Sequence, residues 1–545
     1  MGRARRDPRA AAPPPAVELP AVGLPGVREQ LRAIAADLAA GLHCLWLMTD
    51  GAVESGLADE LYRAALDGEP VRIDIPAPAP AAPEPDLVPG EPEPGLVPGE
   101  PEPVLPWVYG DELPYLDLPD SGFDLDLGWP TAERPPRIPA PRRTTGARHD
   151  PRSLLARLGK ELSVGPDEAV AALVEQKSLR RPLVGVRAWT EADAEAGTAE
   201  QGRTSGPGPR GAAVARLFRS LSAAVKAAGL PPGERPRLLV VARLRDLPES
   251  LPDELRLGSG DSTVHWWWGA LGRLDTATAI APLLDHRPAG ARREPDLSAR
   301  RIRRAVRAET VVEVCGPDLA LARRLVLEWD GMQDTLAGAL ELCLAAEPRP
   351  GPGERPRLHR VGALTRPSPE LRQAWARDAV VSWEGRLRLH VAAWHPAATG
   401  GPAAQQEGVA RTGGADRETR TLLTALVSQA QQRVLMPWIE EARQRVATRA
   451  LGRLNRPAAV VLSEYADRRT AHRDDPPERA FLELQVGELL RAHNDGVLAL
   501  PQEDARLLRL LVKARNALAH RSVVYDHTLD ELCAALSRAD LHGEP

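Results

Sequence analysis

The sequence predicts an α/β domain in the N-terminal half, broken by a long disordered insertion, with mainly α-helical domains following it. Three observations carry that prediction. Apolar runs of strand length alternate with amphipathic helical segments over residues 27–75 and 150–295, the pattern of βα units around a mostly parallel sheet. Residues 76–149, between those two stretches, are dominated by proline, glutamate and aspartate. After residue 296 apolar residues recur at three- and four-residue spacing, the period of a helix with one buried face.

Residues 1–26, rich in arginine and then in proline and alanine, read as a flexible tail. An amphipathic helix is predicted over 27–42, followed by the apolar run Leu42-His43-Cys44-Leu45-Trp46-Leu47-Met48 as a strand. The turn Thr49-Asp50-Gly51 leads to a helix over 57–66 and a short strand over 71–75. The insertion at 76–149 carries a repeat that begins at Glu84, Glu93 and Glu102. Proline at that density supports neither a helix nor a sheet ladder. Its aromatic residues Trp107, Tyr109, Tyr115, Phe123 and Trp129 lie in an acidic background, which suits either a plain spacer or a docking segment. Order is predicted to resume at Ser153, with helices over 153–162 and 167–175, a strand over 182–189, a helix over 212–228 and a strand over 237–244. Residues 296–415 read as a helical or winged-helix-like domain with a β segment at 379–394, and residues 416–545 as helical throughout.

Composition narrows the function classes. A net charge of −5 argues against a nucleic-acid binder that relies on overall basicity. The four cysteines, Cys44, Cys315, Cys343 and Cys533, are far apart, so they predict buried reduced thiols rather than a disulfide frame or a zinc site. The histidines form no i, i+4 pair with a third ligand at metal spacing, and no cofactor is expected. The N-terminus has no apolar segment of the secretory kind and no run reaches the roughly 18 apolar residues of a membrane helix. A cytoplasmic location is the expectation.

A working phosphate loop needs G-x-x-x-x-G-K-[ST], because backbone amides cradle the phosphates and the lysine and hydroxyl complete the site. The segment Thr49-Asp50-Gly51-Ala52-Val53-Glu54-Ser55-Gly56-Leu57 stands in the right place, after a strand and at the opening of a helix, but it has no lysine and places Asp50 and Glu54 where phosphate would sit. The Gly159-Lys160 pair falls inside a helix before Glu161. An apolar strand ending in a magnesium-binding acid would be the second half of such a site. Leu238–Val241 is such a strand, but Ala242 and Arg243 follow it and Asp246 comes later. Gly206-Pro207-Gly208-Pro209-Arg210-Gly211 matches G-x-G-x-x-G only formally, since its prolines have no N–H to offer a pyrophosphate.

The run Thr263-Val264-His265-Trp266-Trp267-Trp268-Gly269-Ala270-Leu271-Gly272-Arg273-Leu274-Asp275-Thr276 is the most distinctive in the chain. Side chains alternate along a strand, so Trp266, Trp267 and Trp268 cannot all enter one face; either the surface they form meets another domain or partner, or the strand is buried on both faces. Taken together, the 42–66 unit, the Leu239-Val240-Val241 strand and this tryptophan run resemble the inactive STAND-type regions of bacterial conflict systems. The resemblance covers about residues 27–290. It implies a degenerate P-loop-like fold without its nucleotide site, acting as a regulatory or scaffolding component through protein partners. The insertion at 76–149 departs from a compact domain of that kind.

At the C-terminus, Leu507, Leu511, Ala514 and Leu518 form the buried stripe of a helix starting at Asp504. It contains Arg515-Asn516-Ala517-Leu518-Ala519-His520. This R-N-x-x-x-H pattern resembles the motif of the HEPN superfamily of small helical domains, many of them metal-independent ribonucleases. Asn516 and His520, four residues apart, share a face. The resemblance implies His520 as general acid/base at the ribose 2′-OH, Arg515 stabilising charge on the phosphate, Asn516 holding the histidine or the substrate, and Glu483 or Glu488 as a further polar residue. It also implies a homodimer and RNA as substrate. An Asn–His pair that merely pins a neighbouring helix is the plain alternative. The expected function is thus a non-hydrolysing regulatory or adaptor component of a defence system, with an HEPN-type endoribonuclease as the alternative and a transcriptional regulator, built on a winged helix in 296–395, as the third.

Overall fold

The computed structural model describes residues 20–78, 151–175, 181–191, 210–258, 260–285, 297–346, 368–394, 413–466 and 476–541. The tail at 1–19, nearly all of the insertion (79–149) and the glycine–proline loop around Gly206 lie outside the described residues.

The strands β1 (His43–Met48), β2 (Arg72–Asp74), β3 (Leu183–Arg187), β4 (Arg237–Arg243) and β5 (Ser262–Trp266) form one five-stranded sheet in the order β2-β3-β4-β1-β5. Every neighbouring pair is parallel. The alternation of β1 explains why so apolar a run is a strand here. Cys44, Trp46 and Met48 point to one face of the sheet, where they pack with residues of α1 (Pro25–Ala39) and α3 (Leu57–Asp67); Leu45 and Leu47 point to the other, packed with α4 (Leu154–Leu162), α5 (Ala169–Glu175) and α6 (Ala212–Ala227). All residues of β1 and β4 are buried, as a parallel sheet covered on both faces requires.

Local chemistry sets the element ends. Pro25 opens α1, a first-turn position where the missing N–H has no helical partner to lose, so the helix starts two residues before the predicted one and stops at Ala39, leaving Leu42 outside. After β1 the hydroxyl of Thr49 accepts from Ala52 N–H at 3.3 Å and caps the five-residue helix α2 (Asp50–Glu54). That helix stops before Gly56, whose φ of +78° breaks it from α3. The connections that leave β1 and β4 run to opposite edges of the sheet, which opens a crevice at the strands' C-terminal ends.

Past α7 (Leu251–Leu257), β5 and α8 (Arg273–Ile280), the chain becomes helical: α9 (Leu297–Cys315), α10 (Leu319–Glu328), α11 (Gln333–Ala345) and α12 (Pro369–Ala376). The β segment expected at 379–394 is a two-stranded antiparallel hairpin, β6 (Val380–Trp383) and β7 (Arg386–Leu389), followed by the helical turn α13 (Val391–Trp394). Glu384 and Gly385 at its tip have φ of +50° and +73°, the two positive values of a tight type I′ hairpin turn. The long helix α14 (Gly413–Leu451) adds Leu423 and Val427 to the core around this hairpin and Leu435 onward to the core of the last helices. Those are α15 (Ala458–Tyr465), α16 (Pro477–Phe481), α17 (Val486–Asn494), α18 (Gln502–Ala519) and α19 (Asp526–Leu541). Among the described residues, no helix is long and apolar enough to cross a membrane. The four cysteines are buried thiols outside any disulfide.

Candidate functional site

Beyond the C-terminal ends of β1 and β5 lies a cavity of about 550 Å³. Its walls come from the turn after β1 (Thr49, Gly51), the run after β5 (Trp267, Trp268), the start of α10 and the segment joining α12 to β6. A helix N-terminus leaves its first N–H groups without helical acceptors. Here the N–H of Gly51 donates to the carboxylate of Asp378 at 2.7 Å, so a negative group from a segment 327 residues away occupies the positive end of α2. Gly51 is required by that approach: a Cβ there would lie 2.6 Å from the Asp378 carboxylate. Asp378 itself has a φ of +56°, a conformation that aspartate tolerates better than most residues.

The two acids that the sequence places in the turn are handled differently by the fold. Asp50 is buried and its Oδ1 lies 3.2 Å from Arg245 Nε, while Glu54, half exposed, lies 3.3 Å from Arg245 Nη2. Burial raises the Asp50 pKa above the ordinary carboxylate range, against the opposing pull of Arg245 and Arg243. Asp246 is consumed locally. Its carboxylate accepts from the Arg243 backbone N–H at 3.0 Å and from the Arg243 guanidinium at 2.9 Å twice.

The strand β5 ends at Trp266, so Trp267 and Trp268 belong to the loop beyond it; all three tryptophans are half-buried. Trp266 packs edge-on against Trp375 of α12 with centroids 5.1 Å apart, under the guanidinium of Arg372 at 5.6 Å. Trp267 lies against Trp46 of β1 at 6.1 Å, and its carbonyl accepts from the Trp375 indole at 3.2 Å. Arg372 also pairs with Asp253 of α7 at 2.7 Å. The tryptophan run therefore packs against the middle of the chain, and Trp268 faces the cavity.

The C-terminal motif stands apart from this cavity. Leu507, Leu511, Ala514 and Leu518 of α18 are buried. Asn516 and His520 are exposed, and His520 is the residue at which α18 ends, its N–H bonded to the Asn516 carbonyl at 3.1 Å. Arg515, half-buried, donates to Gln485 Oε1 at 3.0 Å, which ties it to the start of α17. Glu488 is buried and caps that same helix by accepting from Gln485 N–H at 2.7 Å; Glu483 is half-buried. No hydrogen bond among the described residues joins the side chains of Asn516 and His520.

Comparison with known proteins finds no matching family model, no matching curated protein and no matching solved structure. Sequence reasoning missed Asp378, Trp375 and Arg245. Asp378 stands in Ala376-Arg377-Asp378-Ala379, a stretch with nothing to set it apart, and only its place in space makes it part of the site.

Proposed function

We propose that this chain is a non-hydrolysing regulatory or adaptor protein of a bacterial defence system, with a degenerate P-loop-like N-terminal domain, acting through protein–protein contacts. The observation that carries the reading is the Asp378 carboxylate on the Gly51 N–H. In a P-loop the backbone amides at the start of the helix hold phosphate; here an internal acid takes that position, no lysine follows Gly51 in the turn, and Asp50 and Glu54 add negative charge beside it. The parallel sheet, with β1 in its interior and the turn at its C-terminal edge, agrees with such a fold. Titration of the full chain with Mg-ATP and Mg-ADP by calorimetry tests it: no binding heat and no phosphate release are expected, and saturable binding in the micromolar range with turnover would overturn it.

A second reading is favoured by one feature of the last helices. Asn516 and His520 stand exposed at the end of α18, with Arg515 beside them, an arrangement open to RNA and to a second copy of the chain. On that reading the protein is an HEPN-type endoribonuclease, regulated by its N-terminal half and assembled as a homodimer. The arginine-rich helix α9 lends little to the transcriptional-regulator reading, because three of its five arginines are engaged: Arg304 pairs with Asp285, Arg303 with Asp530, and Arg307 donates to the Val326 and Trp329 carbonyls.

A further inference from the structure

The segment that closes the cavity is anchored at two ends. Asp378, just before β6, holds the Gly51 N–H at 2.7 Å. Glu384, at the far tip of the same hairpin, sits in a cluster of three arginines and three glutamates drawn from four parts of the chain. Arg433 of α14 pairs with Glu313 at 2.6 Å, with Glu309 at 3.3 Å and with Glu384. Arg273 of α8 pairs with Glu309 and lies 3.5 Å from Glu384, and Arg388 of β7 pairs with Glu313 at 3.0 Å. Charges in the cluster balance, and the side chain of Glu313 at its centre is 2% exposed. Between the two ends the chain is stiff: β6 and β7 are paired along their whole length, and the His390 N–H closes back on the Ala379 carbonyl at 2.9 Å.

We infer that this hairpin is a lever that couples the cavity to the C-terminal helices, with the Arg433 cluster as its clasp. The helix α14 carries Arg433 between the core around the hairpin and the core that holds α18, so a displacement of α14 pulls on Glu384, and the rigid hairpin transmits it to Asp378. Release of the clasp frees the Gly51 N–H and loosens the contacts of Trp375 with Trp266 and Trp267. Physically the device is two-state, because a packed hairpin bonded at both ends moves as a unit rather than deforming continuously. The inference rests on the reading of the Asp378 contact as what closes the cavity.

The test is hydrogen exchange, followed by mass spectrometry on the full chain, in the peptide that contains Gly51. Asp378→Ala supplies the reference for an open cavity, and Arg456→Ala, which removes the exposed Arg456–Glu464 pair, is the control for a remote ion pair. Arg433→Ala leaves Glu313 paired with Arg388, so no buried charge is stranded; Glu384→Gln is milder, at an exposed turn. Arg433→Ala is expected to speed exchange in the Gly51 peptide about tenfold, from the loss of several charge contacts, with a smaller rise in Glu384→Gln and none in Arg456→Ala. If Arg433→Ala does not fold, Glu384→Gln decides alone. Wild-type protection at Gly51 in the folded clasp variants, with Asp378→Ala deprotected, overturns the coupling. Unchanged protection in Asp378→Ala overturns the closing contact and the coupling with it.

Discussion

Asp378 gives the sharpest prediction, because two replacements separate its charge from its backbone. The bond from Gly51 N–H to the carboxylate is charge-assisted and half-buried, a kind worth about 1.5–3 kcal/mol. A residue at φ +56° other than glycine, asparagine or aspartate also bears about 1–2 kcal/mol of backbone strain. Asp378→Ala therefore loses the bond and gains strain, whereas Asp378→Gly loses the bond and relieves the backbone. The alanine variant is expected to be destabilised by about 2.5–5 kcal/mol and the glycine variant by about 1–2 kcal/mol less than that. Asp378→Asn, which keeps an acceptor and tolerates the conformation, should fall within about 1 kcal/mol of wild type. Urea denaturation followed by tryptophan fluorescence reads all three, since Trp267, Trp268 and Trp375 line the cavity. Equal stability of the alanine and glycine variants would refute the strained backbone, and no loss in either would refute the bond as well.

Further outcomes follow from the same geometry. Burial holds His43 at a pKa of about 4 against 6.5 for an unfolded histidine, so between those values the unfolded chain binds a proton that the folded one does not, and stability falls as the pH drops; relative to His43→Leu, the wild type should lose roughly 3 kcal/mol from pH 7 to 4, and parallel pH curves for the two proteins would contradict this. Burial likewise pushes the Cys44 thiol far above the ordinary range, so mass spectrometry after iodoacetamide treatment of the native protein should find Cys44 unmodified. Trp375→Ala should destabilise the fold by about 3–5 kcal/mol in chemical denaturation, as a buried tryptophan lost from an aromatic contact and a hydrogen bond. His520→Ala, at an exposed position, should leave stability within about 0.5 kcal/mol of wild type; incubation of both proteins with RNA then separates the readings, since cleavage by the wild type alone makes the protein a ribonuclease.

Much of the fold was legible because its signals are local. The alternation in Leu45-Trp46-Leu47 and in Leu238-Leu239-Val240-Val241 declares strands buried on two faces, and the stripe Leu507, Leu511, Ala514, Leu518 declares a helix with one buried face, whatever surrounds them. That the turn after β1 has no lysine, and carries the acids Asp50 and Glu54 beside Gly51, can also be read from the sequence. What meets the Gly51 N–H cannot be read so. A carboxylate binds whichever N–H the fold brings within about 3 Å of it, and neither Asp378 nor Gly51 carries a mark of the other across 327 residues. The same holds for Arg433 and its three glutamates, and for Trp375 against the tryptophan run. Hydrophobic period determined the elements by itself, since it depends on neighbours along the chain; the partners of the charges and rings were decided only by tertiary structure, since they depend on distances that packing alone sets.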